Sequence, residues 1–303
     1  MWTLTLVRIR LALRNRAFIF FSVVMPLAFL FLYAFVFAGS VPERVAYMLP
    51  AVLALTVMGS FWGLSMQLVI FREQGILRRF RLTPLGPASM LGSSILSNYF
   101  LTIPTVLIEL AIADWYFRVP TLGNLWGVFV MVSLGMITFS SVGLIVASVT
   151  NSMQETQVIN NAIWFPLLFL SGATVPFPML PRWIQGVGLF LPATHLVFGL
   201  QIVMLGGDSV LETWPEVVAL AGGTAFAFFV STKLFRWEPE EKVTRSAKAW
   251  AVAAVIPFLL LGAWQNASGY RLAQARAIFQ GIQSQTQPAP PTQPPSPQPE
   301  QPK

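Results

Sequence analysis

The stretch Phe71-Arg-Glu-Gln-Gly-Ile-Leu-Arg-Arg-Phe-Arg-Leu-Thr-Pro84 separates two long hydrophobic segments of the chain. On a helix, Ile76, Leu77 and Phe80 lie on one face and most of the charged side chains lie on others. The Thr-Pro pair ends such a helix. The pattern predicts a short, basic, amphipathic helix beside a membrane. Two interpretations stay open: an anchor at the inner membrane surface, or a docking helix that a cytoplasmic partner grips.

The composition is that of a polytopic membrane protein. Of the 303 residues, 55% are hydrophobic and 10% are charged, and the mean hydropathy is +0.66, whereas soluble domains carry about 25% charged residues. Cytoplasmic orientation and anionic membrane lipid explain the net charge of +7 without a nucleic-acid partner. The chain has no cysteine and one histidine, which excludes disulfides, cysteine nucleophiles and histidine metal clusters.

The hydrophobic segments predict an all-α fold with six transmembrane helices, because backbone groups inside a bilayer must pair within their own segment. About 20 apolar residues are needed to cross. The predicted spans are residues 17–38, 47–70, 91–113, 125–149, 158–175 and 217–235. The first span is too long for a cleavable signal peptide. Residues 1–16, in which apolar and basic positions alternate, predict a cytoplasmic amphipathic helix on the inner leaflet.

The distribution of cations predicts the orientation. Arginines are concentrated before the first span and in the loop 71–87, and further cations follow residue 235, so these parts and the N-terminus are expected inside. The apolar residues 183–205 could form a seventh crossing, but the basic stretch 233–248 would then lie outside. Repeated prolines also interrupt this part of the chain. We therefore predict that residues 176–205 form an outer re-entrant region.

The C-terminal part differs in composition from the rest of the chain. Residues 241–270 predict a basic linker with a candidate extra span at 249–264, which is short enough to leave its crossing open. Residues 271–303 predict a short amphipathic piece followed by a disordered tail rich in proline and glutamine. If residues 249–264 cross the membrane, this tail lies outside the cytoplasm.

Six residues in or near the spans are candidates for a cargo path or an outer gate: Phe61, Glu109, Asn160, Asn161, Pro176 and His195. Each also has a structural interpretation. Glu109 could be an interfacial carboxylate near Asp114 and Arg118, the asparagines could bond between helices, and His195 could begin a helix. No catalytic residue and no metal site is predicted. The chain has no G-x-x-x-x-G-K-[ST] sequence, so any ATP hydrolysis would belong to a separate polypeptide.

Two separated motifs resemble those of ABC-2-type permeases, the membrane subunits of one class of ATP-binding-cassette exporters. Arg72-Glu73-Gln-Gly75-Ile-Leu77 followed by Leu82-Thr83-Pro84-Leu85 resembles the first cytoplasmic loop of that family. Ser171-Gly172-Ala-Thr-Val-Pro176, Leu180-Pro181-Arg-Trp183 and Leu191-Pro192-Ala-Thr-His195 resemble its outer re-entrant region. The resemblance covers residues 1–240, of which 17–240 would be the transmembrane domain. Ile76, Arg78 and Gln201 depart from residues that are frequent in the family.

The resemblance implies a dimer of permease subunits, identical or different, in the cytoplasmic membrane of a prokaryote. A cytoplasmic P-loop ATPase would hold ATP and magnesium, and this chain would bind no cofactor. The implied docking residues are Arg72, Glu73, Gly75, Leu77, Arg79, Phe80, Thr83 and Pro84. The expected function is export of an amphipathic or lipid-like cargo of the drug, lipid or glycan class. The alternatives are a secondary carrier or channel without an ATPase, and a non-transporting membrane scaffold or sensor.

Overall fold

The computed structural model describes residues 2–83, 85–237 and 256–286. Every regular element in these ranges is helical. The α-helices are Trp2–Arg14 (α1), Arg16–Leu32 (α2), Pro42–Met58 (α3), Ser60–Glu73 (α4), Ile76–Arg81 (α5), Pro87–Trp115 (α6), Leu125–Val149 (α7), Met153–Leu170 (α8), Arg182–Gly188 (α9), Pro192–Gln201 (α10), Trp214–Leu234 (α11), Ile256–Ser268 (α12) and Tyr270–Thr286 (α13). The prediction of an all-α fold is confirmed. Pro84, a predicted docking residue, residues 249–255 of the candidate extra span and the tail 287–303 lie outside the described residues.

Several of these helices are long and apolar enough to cross a membrane. Within the described ranges they are Ile19–Phe37, Pro42–Glu73, Pro87–Trp115, Leu125–Val149 and Val210–Leu234. A sixth is added if the bent pair Arg182–Gly188 and Pro192–Gly206 counts as one span. The chain is therefore a polytopic membrane protein, as its composition predicts.

The boundaries of several predicted spans differ from those in the structure. The predicted span 91–113 corresponds to Pro87–Trp115, and the predicted span 217–235 to Trp214–Leu234. The predicted span 47–70 begins earlier, at Pro42, and is divided between α3 and α4 at Gly59. The predicted span 158–175 corresponds to α8, which begins at Met153 and ends at Leu170. The side chain of Ser152 accepts a hydrogen bond from the backbone N–H of Glu155 at 3.2 Å, so the helix starts in a polar segment. Because its first turns are polar, α8 is not among the helices that are both long enough and apolar enough to cross a membrane.

Helix α7 lies at the centre of the bundle, between α4 and α11. The approach of α4 is close at Gly143, where an added Cβ atom would lie 2.4 Å from the backbone oxygen of Phe61. Phe61 and Phe139 are among the largest side chains that are fully buried. In a bilayer, such close contact between small residues and a neighbouring backbone is a main source of helix association.

We expect Gly143→Ala to lower the free energy of unfolding by about 1–3 kcal/mol, the usual cost of overpacking a dense core. The matched control is Gly222→Ala in α11, because a Cβ atom at Gly222 would meet nothing within 4 Å. Thermal unfolding of both variants in the same mild detergent measures the difference. Equal transition temperatures for the two variants would contradict the close approach at Gly143.

The two ends of the bundle carry different short helices. We name the end that carries α5 the inner end, following the predicted orientation, and the opposite end the outer end.

Helices α9 and α10 meet at an angle of 97°. The backbone oxygen of Val203 accepts a hydrogen bond from the N–H of Asn124 at 2.8 Å, next to the outer start of α7. Leu196 packs deeper, where a Cβ atom added to Gly135 would lie 2.7 Å from it. A segment that enters from the outer end and returns there has this arrangement, and the re-entrant region 176–205 stays a prediction.

Candidate functional site

The inner loop forms the short helix that its periodicity predicts. Helix α4 ends at Glu73, and Gly75 has a φ of +67°, a left-handed conformation that favours glycine. This turn starts α5. Within α5, Leu77 is buried, Arg79 is exposed and Phe80 is half-buried, and Leu82 just after the helix is exposed. The loop therefore turns its apolar face towards the bundle and leaves a largely basic face outward.

Two arginines from distant parts of the chain converge on the inner end of α7. The buried guanidinium of Arg72 donates to the backbone oxygens of Ala147 at 2.8 Å and Thr150 at 2.5 Å. Arg236, which follows α11, donates to the same Thr150 oxygen at 2.6 Å and to the Ser148 oxygen at 3.1 Å. The last carbonyls of a helix lack partners within it and carry partial negative charge. The two guanidiniums satisfy these carbonyls and so join α4, α7 and α11.

Glu73 connects the same loop to the start of α8. Its Oε1 accepts a hydrogen bond from the backbone N–H of Met153 at 3.0 Å. A carboxylate at this position also interacts favourably with the positive end of the helix dipole. Nearby, Glu155 Oε2 accepts from the backbone N–H of Asn151 at 2.7 Å. A movement of α4 and α5 would therefore displace both α7 and α8.

The N-terminal helix is attached at the inner end as well. Arg8 of α1 is buried, donates to Ser94 Oγ of α6, and lies 5.4 Å from the ring centroid of Phe71. Burial lowers the pKa of Arg8 to about 10, so its guanidinium stays charged at neutral pH. The amphipathic pattern of residues 1–16 indicates a helix on the membrane surface, but this buried contact is visible only in the fold.

A cavity of about 330 Å³ lies between α2, the α3–α4 break, α6 and α8. Its lining is mostly apolar and aromatic, with a few hydroxyl and amide groups: Phe21, Ser22, Met25, Pro26, Phe29, Leu55, Thr56, Gly59, Ser60, Gly63, Asn98, Thr102 and Trp164. The buried Ser60 Oγ has no hydrogen-bond partner among the described residues. Volume and lining both match those of small-molecule sites. Thr56, Ser60, Asn98 and Thr102 were not identified from the sequence, because isolated hydroxyl and amide groups are common in spans.

Glu109 lies behind this cavity. It is fully buried, and its Oε1 accepts a hydrogen bond from Thr56 Oγ1 at 2.7 Å. Its Oε2 has no hydrogen-bond partner among the described residues. The interpretation of Glu109 as an interfacial carboxylate is therefore wrong, because the packing of α3 against α6 removes the side chain from water. Thr56 lines the cavity and touches the carboxylate, so it links the two.

The other candidate cargo residues are not brought together. Asn160 is buried and its Nδ2 donates to Ser65 Oγ at 2.9 Å, which agrees with the interhelical role expected of it. Asn161 is half-buried on the same helix. Phe61 is fully buried, with its ring centroid 6.1 Å from that of Trp164, so only Trp164 of this pair lines the cavity.

Pro176 and His195 belong to the outer end. Pro176 precedes a short 3-10 turn, Phe177–Met179. His195 is buried near the start of α10, as the structural interpretation expects, and its ring centroid lies 6.4 Å from that of Phe258 in α12. Neither residue lines the cavity beside Thr56. Their roles in an outer gate stay predictions.

Most of the sequence matches a known protein family. The profile of the family described as ABC-2 type transporter matches residues 1–205. The Bacillus subtilis (strain 168) protein YvfS, whose name describes a transport permease, is 27% identical over 221 residues, which are 69% of this chain and 85% of that protein. The daunorubicin resistance ABC transporter permease protein DrrB1 of Streptomyces coeruleorubidus is 25% identical over 226 residues, which are 71% and 78% of the two chains. The inner membrane transport permease YhhJ of Escherichia coli (strain K12) is 25% identical over 167 residues, which are 54% of this chain and only 44% of YhhJ.

Proposed function

The chain belongs to the ABC-2 type transporter family, and from this premise we propose that it is the permease subunit of an exporter driven by a separate ATPase. The assignment as a transport permease agrees with its multiple membrane-spanning helices. The direction of transport, the cargo and the coupling to an ATPase are parts of the proposal. So are the inner-membrane orientation with the N-terminus inside and the dimer of permease subunits.

The observation that carries the proposal is the connection of the inner loop to three helices. Helix α5 continues from α4, Arg72 binds the end of α7, and Glu73 binds the start of α8. An ATPase that contacts the outward side of α5 could therefore move several spans at once. The exposed Glu73, Arg79 and Thr83, with the half-buried Phe80, are the docking side chains that a partner can reach. Gly75 and the buried Leu77 and Arg72 would hold the loop in shape.

The cargo is proposed to pass the cavity beside Thr56. Its wall combines aromatic rings with a few hydroxyl and amide groups, which suits an amphipathic molecule better than an ion. The cavity is partly open, and its edge includes exposed residues of α2 such as Phe21 and Phe29. A second permease subunit facing this edge would complete the path. Coupling would then be a shift between inward-open and outward-open forms, driven by the ATPase that favours one of them.

Purification from the native membrane in mild detergent tests the proposal. We expect a P-loop ATPase to copurify in equal amount with the wild-type chain and to hydrolyse ATP. Replacing both Glu73 and Phe80 by alanine should remove the ATPase or uncouple its hydrolysis from transport, because both side chains belong to the docking face. The matched control replaces an exposed apolar and acidic pair at the outer end, Leu211 and Glu212, by alanine.

The outcomes separate the alternatives. A monodisperse wild-type preparation without any ATPase, in a detergent that preserves such complexes, would favour the secondary carrier or the scaffold. Transport that continues unchanged in the Glu73 and Phe80 variant would favour a carrier. Equal loss of the ATPase in the control variant would show that the substitutions act through folding and not through docking.

A further inference from the structure

The last two described helices lie beyond the residues matched by the family profile. Helix α12 runs antiparallel to α11: Phe258 packs where a Cβ atom on Gly223 would lie 2.1 Å from its ring, and Trp264 lies 5.6 Å from Trp214 between ring centroids. Trp214 begins α11 at the outer end, whereas Arg236 follows α11 at the inner end. Helix α12 therefore ends at the outer end of the bundle.

Helix α13 then lies over the bent pair of helices. Arg276 Nη2 donates to Gln185 Oε1 of α9 at 3.2 Å. Phe279 lies 5.8 Å from Tyr47 of α3 between ring centroids. At the junction before α13, Asn266 Nδ2 donates to the backbone oxygen of Gly186 at 3.0 Å. Helix α13 thus contacts α3, α9 and the turn Phe177–Met179, and the last two belong to the predicted re-entrant region.

A buried ion pair holds α13 in this position. Arg271 Nη2 lies 2.6 Å from Glu216 Oε2, and the two side chains are only 3% and 0% exposed. Arg271 also donates to the backbone oxygen of Glu212 at 3.2 Å, and Gln265 donates to the second oxygen of Glu216 at 3.5 Å. A pair of this kind is sensitive to the loss of one partner, because the other charge is left buried without compensation.

We propose that α12 and α13 form an outer cap, which covers the bent pair α9–α10 and is held closed by the pair Arg271–Glu216. Helix α13 lies on the outer side of the membrane. Opening of the outer region requires release of the cap, and this part of the inference rests on the proposed export function. The position of the cap does not depend on it.

Labelling of single cysteines with a membrane-impermeant maleimide in intact cells tests the position, because the chain has no cysteine of its own. Ala277→Cys reports an exposed site of α13, and Ala275→Cys a covered site of the same helix. Leu211→Cys and Gln74→Cys mark the outer and inner ends. We expect Ala277→Cys to react as fast as Leu211→Cys. Ala275→Cys should react at least about tenfold more slowly, because a covered site reacts only after local opening.

The ion pair is tested in the same assay. Arg271→Gln should raise the reaction rate of Ala275→Cys to nearly that of Ala277→Cys, and Glu216→Arg combined with Arg271→Glu should restore the slow rate. Reaction of Ala277→Cys only after the cells are permeabilised, as for Gln74→Cys, would overturn the outer position of α13. An unchanged rate of Ala275→Cys in Arg271→Gln would overturn the role of the pair.

A tether tests the gating role separately. A Cβ atom on Gly186 would lie 3.5 Å from Asn266 Oδ1, so Gly186→Cys and Asn266→Cys are within reach of a short thiol crosslinker. Crosslinking should stop transport while the ATPase still copurifies, and the uncrosslinked double variant is the control. Transport at the wild-type rate after complete crosslinking would overturn the gating role. If the wild-type protein neither transports nor binds an ATPase, the proposed function fails, but the labelling results still decide where the cap lies.

Discussion

Replacing Arg72 by Gln is expected to lower the free energy of unfolding by about 3 kcal/mol, because hydrogen bonds from a charged group contribute about 1.5–3 kcal/mol. Arg72 donates to the oxygens of both Ala147 and Thr150 from a buried position, and a glutamine cannot reach both. Transport should fall more steeply than stability, since the same contacts join the inner loop, the proposed docking site of an ATPase, to α7. Thermal unfolding in detergent and transport by reconstituted protein measure the two effects.

Arg72→Lys should restore only part of the loss, because an ammonium group lacks the planar fork that spans two carbonyl oxygens. The exposed Arg79, replaced by Gln, is the control for loss of charge in the same loop. If Arg72→Gln and Arg79→Gln have the same transition temperature, the buried contacts of Arg72 do not stabilise the bundle.

Arg72 shares a backbone acceptor with Arg236, and this contact leads to a further expected result. Arg236 donates to the same Thr150 oxygen, so Arg236→Gln and Arg72→Gln should not be additive in the double variant. Coupling between groups in one network is typically about 0.5–3 kcal/mol. Strict additivity would show that the two arginines act on α7 independently.

Replacing Gly63 by Trp is expected to reduce transport by about tenfold or more, since obstruction of the path need cost only about 1.4 kcal/mol to have this effect. Gly63 lines the cavity, is exposed towards it, and would have no atom within 4 Å of an added Cβ. An indole there fills the cavity without a clash in the helix itself. The ATPase should copurify as with the wild type, because Gly63 lies away from the inner loop.

Gly222→Trp is the matched control for this substitution. Gly222 is also an exposed helical glycine with nothing within 4 Å of an added Cβ, but it lies on α11 outside the cavity. Transport by reconstituted protein should be close to that of the wild type in this variant. Unimpaired transport in Gly63→Trp would show that the cavity is not part of the cargo path. An equal loss of transport in both variants would indicate an effect on the fold.

Local sequence signals were sufficient where one segment decides its own structure. The predicted span 125–149 has the same limits as α7, because the run is uniformly apolar and Asn124 caps its start, with Oδ1 accepting from the N–H of Gly127 at 3.1 Å. Helix α5 also follows from its own periodicity and from Gly75. For α8, the Ser152 cap placed the start earlier than hydropathy did.

Contacts between helices could not be predicted from such local signals. The positive-inside rule explains why Arg72 and Arg236 lie on one side, but not that both reach the Thr150 oxygen. Likewise, the carboxylate of Glu109 could be placed near the end of a span, but its burial depends on Thr56 from another helix. The cavity is formed by four segments of the chain, none of which has a distinctive composition.

The sequence by itself determined the membrane class, the helical fold, the inner loop and the resemblance to a transporter family. These properties depend on the transfer of each segment from water to lipid and on short motifs, and both can be evaluated one segment at a time. Only the tertiary structure decided which helices approach one another, and with that the arginine contacts on α7, the cavity beside Thr56 and the buried pair Arg271–Glu216. The physical reason is that lipid does not distinguish one apolar helix face from another, so the partners are chosen by packing and by buried polar contacts between distant residues.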